Sequence, residues 1–291
     1  MDLHHPALRS LALPLAISFV AAGALRQLGG PDAGARWAGV GVPLALLASI
    51  FLTLGWTVRP LAGIEKLPWI YALAALAGVA LERWRADLRA QWLATGLLWA
   101  LVLVVLGQQP MLARMGSWLV GMAVIGAALY SPPERADAAA MLVVAALGLA
   151  ALAMLSGSAL LFELALALAA GVGGVALWLW PVARIRLGAC GLVVALLAWL
   201  SLAQATALLT GAPPAAALLL AGAFSSSIVV RAVRGWLHGG EPRAWVQTLC
   251  VAFAAALWVT AALALAHWGG PAFGAHPAAP GADDAYYAPR W

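Results

Sequence analysis

One carboxylate, Glu163, lies well inside an uninterrupted apolar run, about five residues past the turn Ser156-Gly157-Ser158. At 1.5 Å per helical residue that is roughly 8 Å below the end of its helix. An ionisable group at such depth in hydrocarbon costs at least ~2.5 kcal/mol, so it calls for a partner or a wet cavity. Two chemistries follow. Glu163 is either a proton or cation site facing a cavity, or a neutral acid bonded to a neighbouring helix. Polar groups of similar depth are Gln204, Ser201 on the same helix face three residues earlier, Ser49 and Thr53, and Thr260. A polar pocket of Glu163, Gln204, Ser201, Ser49 and Thr260 is the site expectation; hydrogen-bonding glue between helices is the plainer alternative.

The densest charge cluster is Glu82, Arg83, Arg85, Asp87 and Arg89. Arg83, Arg85 and Arg89 could contact lipid phosphates, or simply anchor the topology. Ser225-Ser226-Ser227 sweeps most of a helix circumference, which implies back-bonding to the helix or a locally unwound stretch. The small residues Ala170 and Gly174 permit close helix approach, with a hinge as the other reading. Pro14 and Pro43 should bend their helices.

The sequence has no Walker A loop, HExxH, paired CxxC or Asp-rich prenyl-phosphate motif, and no lysine within an apolar run for a retinal Schiff base. No catalytic residue, metal or cofactor is therefore assigned. His4, His5, His276, Asp283 and Asp284 read as solvated surface groups rather than a weak metal site. Cys190 and Cys250 read as small buried hydrophobes rather than a disulfide.

These residues are carried by a chain that is 65% hydrophobic and 9% charged over 291 residues, with mean hydropathy +0.95. Soluble domains carry about 25% charged residues. Such a chain needs hydrocarbon around it, where every backbone amide must be paired internally. Long Ala- and Leu-rich runs without period-two alternation select helices over a barrel. The fold expected is all-α: a polytopic transmembrane bundle of ten spans at roughly 7–28, 37–57, 67–83, 91–107, 111–130, 137–155, 158–180, 187–210, 214–232 and 244–268. The first run is too long for a signal-peptide core and lacks a basic flank. Residues 1–268 then form a single domain, and 269–291 a flexible tail rich in Gly, Ala and Pro. Five spans fall on each side of Ser131-Pro132-Pro133, so a repeat between the halves would be an inverted one.

The links after spans one, three, five, seven and nine carry eleven of the sixteen Arg and Lys residues; the opposite side carries five. The positive-inside rule places these odd links in the cytoplasm and both termini outside, in the periplasm of a bacterium's cytoplasmic membrane. The bacterial source is inferred from the Arg-over-Lys and Ala/Gly bias. The net charge of +5 forms no stripe, which argues against nucleic acid. The bilayer is the first partner. In length and helix count the chain resembles the ten-helix drug/metabolite transporters by architecture alone; no motif is shared, and the sidedness here is the reverse of theirs. Three functions stay open: a secondary transporter or exporter of a small solute; a non-catalytic membrane subunit or scaffold, with other subunits as partners; and an enzyme acting on a lipid.

Overall fold

The computed structural model describes residues 8–55, 60, 63–106, 109–131, 136–237 and 243–269. The expectations for His4, His5, His276, Asp283, Asp284 and the tail beyond 269 lie outside these residues. Among the described residues the chain is helical and has no strand. Ten helices are long and apolar enough to span a bilayer: α1 (Leu8–Leu28), α2 (Gly30–Leu54), α3 (Ile64–Arg83), α4 (Leu88–Leu106), α5 (Met111–Leu129), α6 (Asp137–Leu155), α7 (Ala159–Leu179), α8 (Gly188–Leu209), α9 (Pro214–Trp236) and α10 (Ala244–Trp268).

All ten expected spans are present, and the boundary shifts have local causes. α4 begins at Leu88, earlier than hydropathy suggested, because the Asp87 carboxylate accepts a hydrogen bond from Ala90 N at 2.9 Å and starts the helix. α2 gains an extra turn over Gly30–Gly34 ahead of its apolar run. α9 runs past its apolar stretch through Arg231 and Arg234 to Trp236.

Helical geometry departs from regular α just before both prolines. A wide helical turn over Leu8–Ala12 precedes Pro14, and a tight 3-10 turn over Ala38–Val40 precedes Pro43. Each proline lacks the N–H that would bind the carbonyl four residues back, so regular α geometry is lost just before it. α9 is likewise interrupted, by a 3-10 turn at Ala223–Ser225, at the serine run.

Helices α6, α7 and α8 are the most deeply buried, and α10 the least. α7 packs on α1, α2 and α6; α8 packs on α3 and α4; α6 also packs on α10. Small residues let these helices approach. A side chain at Gly174 of α7 would strike Ser18 and Leu15 of α1, which fits packing at the Ala170–Gly174 pair. The two halves share some contacts and not others. The pairs α2–α7 and α3–α8 cross between them, and α4–α5 and α9–α10 are matching hairpins. Yet α6 packs on α10, whereas α1 packs on α7 instead of α5.

The cysteines are both free. Cys190 is buried, as expected, but Cys250 is exposed on the lateral surface of α10, a correction to the reading of both as buried. It sits on α10, the least buried of the ten spanning helices.

Candidate functional site

Two cavities lie at opposite ends of the same helices. The first, about 570 Å³, opens at the odd-link end. Its wall includes Arg36, Glu82, Arg85, Gln91, Ser131 and Arg186. Glu82 continues a face of α3 on which Ala74 and Gly78 recur at four-residue spacing, and this face lies against α8. The approach is close. A side chain at Gly78 would meet the Cys190 backbone, and one at Gly39 of α2 would meet Leu187 and Gly191. The first turn of α8 is thus seated between α2 and α3.

That seating brings the Glu82 carboxylate to the α8 N-terminus. Oε2 accepts a hydrogen bond from Ala189 N at 2.7 Å. A carboxylate there satisfies an otherwise orphaned donor and sits favourably against the helix dipole. Gly188 precedes it with φ +64°, in the left-handed region, and a Cβ there would lie 2.9 Å from Glu82 Oε2. The other carboxylate oxygen faces Arg36, with Nε to Oε1 at 3.6 Å. This is an ion pair without a hydrogen bond, and Arg36 Nε is buried with no hydrogen-bonding partner.

The second cavity, about 410 Å³, lies toward the even-link end between α4, α5, α8 and α9. Trp99, Gln109, Ser117, Trp199, Gln204 and Leu218 are among its walls. It is predominantly apolar and aromatic. Trp99 Nε1 donates to Ser117 O at 3.2 Å, and Trp199 packs edge-on against Phe224 with ring centroids 4.8 Å apart. Trp199 Nε1 is buried and has no partner.

Between the cavities the bundle is closed. On α4, α5 and α8 the residues at intermediate depth, Thr95, Ile125 and Leu196, are buried. On α8 the gap from Leu192 in the first wall to Trp199 in the second is about 10 Å of helix. The α4–α5 hairpin is stitched internally. Trp92 Nε1 donates to Met122 O, Trp99 to Ser117 O and Trp118 to Gly96 O, at 3.4, 3.2 and 3.3 Å.

Beside the first cavity a second buried acid organises the odd-link end. Asp137, 1% exposed, accepts from Thr248 Oγ1 at 2.7 Å and from Gln247 Nε2 at 3.3 Å. Gln247 Oε1 in turn accepts from Arg234 Nη1 at 2.8 Å. The buried carboxylate is thus linked to a guanidinium through an amide, tying α6, α9 and α10 together. Ser131 donates to Ser227 at 3.0 Å, and Arg231 lies over the Tyr130 ring, 4.0 Å from its centroid. Ser225 bonds back to Gly222 O, while Ser226 Oγ is buried without a partner.

The residues singled out in the sequence separate. Gln204 lines the second cavity. Ser201 is buried one turn away but bonds to the Tyr71 hydroxyl and to Ala198 O. Ser49 bonds back to Ala45 O. Thr260 is exposed on α10 and bonds to Leu257 O. Glu163 is half-buried, lines neither cavity and has no partner among the described residues. Of the arginine trio, Arg85 lines the first cavity, while Arg83 and Arg89 are exposed outside it.

Among the described residues, Glu82 and Asp137 are the acids the fold encloses most fully, at 8% and 1% exposure. A signal for Glu82 was present: it extends the small-residue stripe of Ala74 and Gly78, which marks a packed face. No group of three or more metal-ligating side chains comes together among the described residues. The chain matches no protein-family model and no curated protein by sequence.

Proposed function

We propose that this integral membrane protein is a secondary transporter of a small solute. The observation that carries the reading is the pair of cavities at opposite ends of α4, α5 and α8 with a closed middle between them. A lone binding subunit has no need of two openings on one axis. A transporter needs both, used in turn, with rocking of packed helices opening one as it closes the other. The internally bonded α4–α5 hairpin is suited to move as one body against α8. The 3-10 interruption of α9 beside the second cavity supplies a place to bend.

In this scheme Gln204, Trp99 and Trp199 contact solute from the even-link side, and Arg36, Arg85 and Gln91 from the odd-link side. The odd-link side is the cytoplasmic one by charge, in a bacterial inner membrane. The purified protein in liposomes should exchange a small labelled solute across the membrane at a rate that falls when Leu196 is replaced by Trp, which fills the closed middle. Liposomes no more permeable than protein-free ones, across anionic, cationic and neutral solutes, would favour the subunit reading instead.

A further inference from the structure

We infer that the solute is a small organic monocarboxylate with an apolar or aromatic body. The inference rests on the transporter reading for what happens after binding, and on the cavities for binding itself. The odd-link cavity has three guanidiniums in its wall, Arg36, Arg85 and Arg186, against two carboxylates, Asp32 and Glu82. Glu82 is already engaged by the α8 N-terminus, and its distance from Arg36 leaves the buried Nε–H of that guanidinium without an acceptor. An incoming carboxylate matches the charge of this wall, where guanidiniums outnumber carboxylates three to two. A cation meets the reverse.

The even-link cavity decides the rest of the molecule. Its volume of about 410 Å³ admits a single-ring compound, and its wall is formed largely by Trp, Ala, Leu and Gly. The buried indole N–H of Trp199 is again a donor lacking an acceptor, and the Gln204 amide lies one to two turns further along α8. Each cavity thus has in its wall a residue whose buried N–H lacks a partner, Arg36 in the first and Trp199 in the second. The second adds apolar walls that favour a body over a bare inorganic anion.

The test uses the full chain in nanodiscs and three ligands of one shape: benzoate, benzamide and benzamidine, with inorganic phosphate as a fourth. Calorimetric titration should show benzoate binding most tightly, benzamidine not binding, and phosphate binding more weakly than benzoate. Arg36→Gln should weaken benzoate by about tenfold or more, the worth of a charge-assisted hydrogen bond. Arg85→Gln, at an exposed position in the same wall, should weaken it as well.

Benzamidine binding as tightly as benzoate, or benzoate binding unchanged in both variants, would overturn the anion assignment. Phosphate binding as tightly as benzoate would overturn the apolar body. Nanodiscs of phosphatidylcholine alone and with phosphatidylglycerol separate a solute from a lipid headgroup. Benzoate binding in both supports the solute. No benzoate binding in phosphatidylcholine, together with specific retention of phosphatidylglycerol, would overturn it. Benzoate binding without flux would leave this site standing and remove the transporter reading; flux of a neutral solute without benzoate binding would do the opposite.

Discussion

The Glu82 carboxylate, on the last turn of α3, accepts a hydrogen bond from Ala189 N on the first turn of α8 at 2.7 Å. That contact joins two helices more than a hundred residues apart in sequence and forms one wall of the odd-link cavity. Glu82→Ala leaves a buried N–H without an acceptor, which costs about 1–3 kcal/mol. Glu82→Gln keeps an amide oxygen in its place. Thermal unfolding in detergent should therefore place Glu82→Ala clearly below Glu82→Gln. Equal midpoints would mean the bond does not hold the helices.

The Asp137 network makes a separate prediction about the α6–α10 interface. Thr248→Val removes the 2.7 Å donor to a nearly inaccessible carboxylate and should destabilise by about 1–3 kcal/mol. Asp137→Asn should cost less than Asp137→Leu, because the amide still accepts from the Thr248 hydroxyl. Unfolding midpoints that rank Leu above Asn would contradict the network.

Close packing of the α4–α5 hairpin is tested by two glycines on one helix. A side chain at Gly121 would overlap the Trp99 indole, whereas Gly116 has nothing within 4 Å of where a Cβ would stand. Gly121→Val should destabilise by about 1–3 kcal/mol or prevent folding, and Gly116→Ala should be tolerated. Yield of monodisperse protein and its unfolding midpoint distinguish the two. Loss at both positions would mean that the hairpin responds to any added side chain.

Sidedness follows from the arginine count. In intact cells, a membrane-impermeant maleimide should label Gln109→Cys, on an even link, and spare Asp87→Cys, on an odd one. The reverse pattern would invert the topology while leaving both cavities where they are.

Much of the architecture was legible because hydrocarbon imposes length and continuity on each span, and those properties are local. All ten spans could be read that way, and Pro14, Pro43 and the serine run sit beside the irregular turns within them. The site was less legible because convergence is not local. Glu163 stands out by depth along its own helix, yet depth says nothing about which neighbour its face meets, and it lines neither cavity. Glu82 sits in the densest charge cluster of the sequence, and its place on the Ala74–Gly78 stripe marks a packed face without naming the helix that packs there. Only the approach of α8, permitted by Gly78 and Gly39, turns it inward. The unpaired nitrogen of Trp199 becomes visible only once its neighbours are in place.

Transport through this fold requires the two cavities to open in alternation. Cysteines placed at Gln204 and at Gln91, each in a Cys190→Ala, Cys250→Ala background, report on the two sides. In proteoliposomes, benzoate should change maleimide labelling at the two positions in opposite directions, one rising as the other falls. Labelling that moves the same way at both, or that ignores the solute at both, would contradict alternating access along α4, α5 and α8.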